Sequence, residues 1–276
     1  MSSKIRINGE WFEKLQANLG VFDHGLLYGD GATVGIRIEA GEARYGRQHC
    51  ERLYEAARGQ GIKLPMTIPE LLQDIDETIR ATERVTGYVK LVLTRGAGSM
   101  GPDPRKCEPT LILIADDCVP YPPAVAEAGV HLIAASVRRT TAPEHLGLLL
   151  ANTLAVTAMR EAIAAGCLDA VVLDPQGTVT GIIEGELFAV HGNAICSGPL
   201  SHSPDPLAAL ELRPLFMIRE AELTLEDLTT ADELFLISTA AGVVPIVQLD
   251  GRRIATGFTG PITESVRKRH RELGPL

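Results

Sequence analysis

Three prolines in four residues, Pro120, Pro122 and Pro123, interrupt the chain near its middle. Proline fixes φ and carries no backbone N–H, so residues 119–123 suit a stiff, extended connection. The chain is therefore read as two domains, residues 1–118 and 127–276, joined by a linker at 119–126. With 276 residues in all, each side is long enough to bury a core of its own.

Helix and strand signals mix on both sides of this break. In the first half, residues 4–8 read as a strand ending in the Asn8–Gly9 turn, and residues 29–31 as a glycine-rich turn. Residues 34–38, 88–94 and 110–114 read as further strands. Residues 48–61 carry Leu53, Ala56 and Ala57 at helical core spacing, and 68–82 open a second helix with Pro69 in its first turn. In the second half, residues 130–136, 169–173, 187–190 and 233–237 are strand-like. Residues 148–165 predict a long alanine-rich helix closed by Gly166, and 259–272 a terminal helix. Regular strand–helix–strand alternation is missing, which favours an α+β fold over a doubly wound sheet.

Composition narrows the partners. The formal net charge is −9 and the 26 basic residues form no run, which argues against nucleic acid or an anionic membrane. No apolar run approaches the roughly 18–20 residues of a spanning helix, and the N-terminus has no apolar signal core. A cytoplasmic protein is expected. The five cysteines are scattered without a C-x-x-C pair, so neither a disulfide framework nor a zinc knuckle is indicated. Gly96, Gly98 and Gly101 match G-x-G-x-x-G, yet Pro102 and Pro104 follow at once and leave no room for the helix whose N-terminus would hold a pyrophosphate. A hairpin loop is the better reading.

Five segments then stand in order: Asp23-His-Gly-Leu-Leu-Tyr-Gly-Asp-Gly31, His49-Cys-Glu-Arg-Leu53, Thr94-Arg-Gly96, Asp174 through Val179, and Ser238-Thr-Ala-Ala-Gly-Val243. With Pro143, Glu161–Ala162 and Gly166, they resemble the class IV aminotransferases. This is the fold-type IV group of pyridoxal-phosphate (PLP) enzymes, which includes branched-chain and D-amino-acid aminotransferases and aminodeoxychorismate lyase. The resemblance implies a two-domain α+β fold of the D-amino-acid aminotransferase type, an active site between the domains and a homodimer completing it. It also implies that Arg52 binds the cofactor phosphate, a dianion suited to the guanidinium fork. Ser238 and Thr239 match a second phosphate contact. Lys90 matches a basic residue at the substrate end, and Arg95 a carboxylate clamp.

The departures from the family pattern matter more. Leu148 stands where the family carries its Schiff-base lysine; that chemistry needs a primary amine, and no lysine lies between Lys106 and Lys268. Gly181 stands at the glutamate that keeps the pyridine nitrogen protonated. Ile182 and Ile183 replace a glycine and a small polar residue, and Thr33 an aromatic. Glu184 and Glu186 bring carboxylates to a wall that elsewhere holds asparagine and serines. The family's G-I-[TS]-R turn has no counterpart between Leu200 and Arg219.

With Lys90 and Arg95, Glu184 and Glu186 are candidate substrate-binding residues, and at i and i+2 of a strand they form a candidate acid/base pair. None of these positions is assigned as catalytic. The expectation is a non-catalytic or repurposed homologue, a pseudoenzyme with a residual pocket for a small anion or an amino or keto acid. PLP is expected by resemblance alone, bound weakly or not at all and not covalently. Two alternatives stand beside it: lysine-independent chemistry on a small amino or keto acid in the same cleft, and a genuine PLP-dependent aminotransferase or lyase with Lys90 as its amine. His145 with Glu144, and His191 with His202, repeat no metal-ligand spacing, so no metal is expected.

Overall fold

The computed structural model describes residues 4–140, 148–183, 185–199, 207, 209–210 and 212–272. Pro143, Glu144, His145, Glu184 and His202 lie outside the described residues. The chain forms two compact units: the described residues up to Cys118 with Leu148–Ala151, and those from Val119 onward without that segment.

The first unit contains β1 (Lys4–Ile7), β2 (Glu10–Glu13), α1 (His24–Tyr28), β3 (Gly31–Glu39), β4 (Glu42–Ala43), α2 (Gly46–Gly59), α3 (Ile68–Thr82), β5 (Gly87–Ala97) and β6 (Glu108–Asp116). The strands make an antiparallel sheet in the order β2-β1-β6-β5-β3-β4. Strict alternation sets its core face. Ala32, Val34, Ile36 and Ile38 of β3 and Val89, Leu91 and Leu93 of β5 pack in one apolar cluster with Leu53 and Tyr54 of α2 and Leu71, Ile75 and Ile79 of α3. Thr67 and Glu70 form a capping box at the start of α3, with proline in its first turn. The intervening residues, Thr33, Gly35 and Arg37 with Tyr88, Lys90 and Val92, lie on the other face and are not buried.

The second unit contains α4 (Pro123–Ala128), β7 (Val130–Arg138), α5 (Thr153–Ala164), β8 (Asp169–Leu173), β9 (Val179–Ile182), β10 (Glu186–His191), β11 (Ala194–Ser197), β12 (Ile218–Glu220), α6 (Leu225–Thr229), β13 (Glu233–Ser238), β14 (Gly242–Leu249), β15 (Arg252–Arg253) and α7 (Pro261–Glu272). Its mixed sheet runs β12-β11-β10-β13-β14-β7-β8-β9, with β15 paired to β14. β7 lies parallel to both β14 and β8.

One expectation is corrected and one strand was unforeseen. Within the proline-rich stretch at 119–126, Tyr121 is buried in the second unit's core, its hydroxyl donates to Asp169 Oδ2 at 2.6 Å, and Pro123 opens α4. Pro122, at φ −54° and ψ 135°, keeps the extended backbone its ring favours beside this buried aromatic. The helix expected from Leu148 starts only at Thr153, where Asn152 accepts from the Ala155 N–H at 3.2 Å and caps it. Leu148–Ala151 belongs instead to the first unit, where Leu150 N donates to Gly31 O at 2.9 Å and Leu148 joins the apolar core. Strand β14 escaped notice because Pro245 sits within it and almost every residue is buried, leaving no alternation to read. The G-x-G-x-x-G segment joins β5 to β6 as an antiparallel hairpin, with a short 3-10 turn at Pro104–Lys106.

Candidate functional site

Two of the five sequence motifs interlock inside the first unit. Asp23 accepts the Gly25 N–H at 2.7 Å and the Thr94 hydroxyl at 2.9 Å, and the same hydroxyl oxygen accepts from Gly96 N at 3.0 Å. A Cβ at Gly25 would meet Thr94 Cγ2 at 2.5 Å, so no side chain fits between these two segments. His24 is buried, with Nε2 2.9 Å from the Ser99 carbonyl. Arg95 is fully engaged within this assembly. Its guanidinium pairs with Asp30 through both carboxylate oxygens and donates to Gln60 O at 2.7 Å and Gly61 O at 3.0 Å. The expected carboxylate clamp therefore holds a carboxylate of its own chain, tying the residues after α2 to the turn before β3.

Arg52 is half-buried on α2, beside the core-facing His49 and Leu53. Cys50, in the same turn, is buried, and burial pushes its thiol up to about 12, which leaves almost no thiolate at neutral pH. Lys90 is exposed on the open sheet face, cross-strand from Gly35 and Ile114. The Tyr88 ring fills the space a side chain at Gly35 would need, its hydroxyl 1.8 Å from where a Cβ would stand. Thr33, on the same face, donates its hydroxyl to Leu91 O at 2.8 Å.

In the second unit the positions read as departures from the family pattern lie in packing and pairing. Gly181 is paired with Val172 at a φ of 120°. Ile182 is wholly buried in the main apolar cluster, and Ile183 packs on a neighbouring one. The Ile183 N–H donates to Asp169 Oδ1 at 3.1 Å, the carboxylate that also anchors Tyr121. Glu186, at the start of β10, is buried and forms an ion pair with Arg213. Arg213 was not singled out in the sequence; the need of a buried carboxylate for a counter-charge was the available signal. Ser238 is buried where β13 turns into β14, and its Oγ accepts from Ala241 N at 2.9 Å, which leaves its proton available to an acceptor. Thr239 is half-buried in that turn. Among the described residues no three His, Cys, Asp or Glu side chains gather as metal ligands, and no helix is long and apolar enough to cross a membrane.

The family profile described as amino-transferase class IV matches residues 35–249. A Methanocaldococcus jannaschii protein provisionally assigned as a branched-chain-amino-acid aminotransferase is 36% identical over 281 residues, covering 98% of this chain and 96% of its own. The solved structure of Escherichia coli branched-chain amino acid aminotransferase superposes with a TM-score of 0.90 at 25% identity, covering 99% of this chain and 95% of that one. A 4-amino-4-deoxychorismate lyase from Pseudomonas aeruginosa gives 0.84 at 27% identity, with coverages of 97% and 98%. A T.th. branched-chain amino acid aminotransferase solved with pyridoxamine 5'-phosphate gives 0.88 at 26% identity, with coverages of 99% and 94%.

Proposed function

We propose, given that the chain belongs to the amino-transferase class IV family and has the architecture of fold-type IV aminotransferases, that it is a repurposed member binding a small anion or an amino or keto acid without covalent attachment to a cofactor. The observation that carries this is Leu148. It presents hydrocarbon, 5% exposed within an apolar cluster, at the position where the resemblance expects an amine. PLP is anchored by condensation of its aldehyde with a primary amine and tuned by a carboxylate at its ring nitrogen. Leu148 and Gly181 supply neither. Each by itself, Arg52 on α2 and the hydroxyls of Ser238 and Thr239 at the end of β13 suit a phosphate or carboxylate, whereas Leu148 does not fit a covalently held PLP.

What the chain's own residues offer is binding. Arg52 carries a fixed cation and a planar fork of donors, Ser238 a hydroxyl proton, and Lys90 an exposed ammonium on the open sheet face. A homodimer is part of the same reading. Its support is the apolar surface left exposed around α1 by Phe22, Leu26, Leu27 and Tyr28.

The test is spectroscopic. The protein is incubated with PLP, its visible absorption recorded, and borohydride added to trap any imine. The wild type is expected to show no imine band and no trapped adduct, and Leu148→Lys to gain both. A stoichiometric band in the wild type that Lys90→Ala removes would sink this reading in favour of a PLP enzyme.

A further inference from the structure

The chain has four asparagines, and only Asn8 is followed by glycine; Leu19, Thr153 and Ala194 follow Asn18, Asn152 and Asn193. Asn8 and Gly9 are exposed and close the hairpin between β1 and β2, where Ile7 pairs with Glu10. Both have left-handed backbone, with φ of 49° and 89°. A Cβ at Gly9 would meet nothing within 4 Å, and the Gly9 N–H makes no hydrogen bond among the described residues. The Asn8 side chain, by contrast, is held. Its Oδ1 accepts the Leu111 N–H at 2.8 Å, and Asn8 N donates to Leu111 O at 2.9 Å, which fastens the turn to β6. Arg6 Nε donates to Gly9 O at 3.3 Å on the other side.

These features meet the needs of one reaction. A backbone nitrogen can attack the side-chain carbonyl of the preceding asparagine when no Cβ crowds it, and glycine has none. Nucleophile and electrophile sit on adjacent residues, so the encounter is intramolecular. The Gly9 nitrogen is not engaged elsewhere. As it attacks, negative charge develops on Oδ1, where the Leu111 N–H is already placed to stabilise it. We propose that Asn8 is a site of spontaneous deamidation in the native protein. Gly9 N gives up its proton and bonds to Asn8 Cγ. The Cγ–Nδ2 bond breaks, and ammonia leaves with that proton; no atom is oxidised or reduced. Water then opens the cyclic imide. Opening at Cγ leaves aspartate, whereas opening at the main-chain carbonyl leaves isoaspartate, whose backbone runs through Cβ and Cγ and is longer. Isoaspartate puts the carbonyl held by Leu111 into the main chain and lengthens a turn whose strands are in register. The damage falls on the attachment of the β1–β2 hairpin to β6.

The full chain is aged in neutral buffer, native and in urea, and its peptides are mapped by mass spectrometry. In the native protein the mass increase of amide to acid is expected at Asn8 at least about tenfold faster than at Asn18, Asn152 or Asn193. Gly9→Ala should slow it by about tenfold or more. Should Gly9→Ala loosen the hairpin, Gly9→Asp repeats the test, since aspartate adds a Cβ yet accepts left-handed backbone. The isoaspartate fraction should melt below Asn8→Asp, which has the same charge on an ordinary backbone. Asn8 intact in the native protein but lost in urea overturns the proposal, because the turn would then protect it. Loss at Asn8 no faster than at the other asparagines, or undiminished in both Gly9 variants, overturns it too. An isoaspartate fraction that melts with Asn8→Asp overturns the consequence drawn for β6.

Discussion

Breaking the Glu186–Arg213 pair from either side should cost stability unequally. The Glu186 side chain keeps 5% of its exposure and that of Arg213 17%. Removing one partner of a buried ion pair costs about 3–5 kcal/mol, because the remaining charge is stranded. Arg213→Met takes a counter-charge from the deeper group, the carboxylate, and belongs near the upper end of about 4–5 kcal/mol. Glu186→Leu strands a guanidinium with more access to water and belongs near about 3 kcal/mol. The double variant leaves no charge behind and should recover most of the loss. Urea unfolding measures all three, with unchanged m-values certifying comparable unfolding. A pH series adds a sign. In Arg213→Met, burial raises the folded pKa of Glu186 above its unfolded value of about 4.3. The protonated, neutral form is the better buried one, so stability is greatest below that unfolded value and falls as pH rises through it toward the folded pKa. The deficit of Arg213→Met should therefore shrink between pH 8 and pH 5, while that of Glu186→Leu should not. Costs below about 1 kcal/mol on both sides, without pH dependence, would refute the reasoning, since that is how an exposed pair behaves. They would also return Glu186 to the set of carboxylates available to a ligand.

Three further outcomes follow from buried groups and one tight turn. Tyr54 is 1% exposed and its hydroxyl has no hydrogen-bond partner among the described residues, so Tyr54→Phe should raise stability in urea by about 1 kcal/mol; a loss of that size would contradict an unsatisfied hydroxyl. Burial pushes Tyr54 from 10.0 up to about 12 and Cys50 from 9.0 up to about 12. Both folded values exceed the unfolded ones, so this contribution is intact below pH 9 and is lost as pH rises toward 12. Alkaline melting curves of Cys50→Ala with Tyr54→Phe should accordingly be flatter than wild type. Gly96 has φ +88° and a Cβ there would stand 1.5 Å from the Glu108 carbonyl oxygen, so Gly96→Ala should cost more than about 2 kcal/mol in thermal or urea unfolding. A neutral substitution would mean the β5–β6 hairpin closes differently.

Local signals made much of the fold legible. The second helix starts and stops where its capping box and apolar spacing indicate, and Asp169–Leu173 is a strand at the bounds its composition suggests. What misled were signals whose meaning depends on distant contacts. Pro120, Pro122 and Pro123 say only that the chain is stiff there; that Tyr121 finds Asp169, 48 residues on, cannot be read from the prolines. Alanine-rich sequence from Leu148 onward favours helix on propensity, but Asn152 offers a cap and Gly31 offers the Leu150 N–H an acceptor, and these local bonds outweigh the propensity of four residues.

The site was less legible for a related reason. Each position that departs from the family pattern was visible as a departure, yet its new role is defined by a partner elsewhere. Ile182 has become core, Glu186 answers Arg213, and Arg95, which does match the family, is engaged by Asp30. These roles differ in how they would respond to reversal. A lysine placed at 148 would enter apolar surroundings that disfavour its charge, depressing its pKa and leaving it a neutral, nucleophilic amine at physiological pH. Position 181 is a glycine and supplies no carboxylate. Leu148→Lys is therefore expected to trap an aldehyde and to fall short of efficient transamination, because the ring nitrogen would still lack its acidic partner. Transamination by that single variant at a rate matching a branched-chain aminotransferase would refute the expectation that a carboxylate at position 181 is needed.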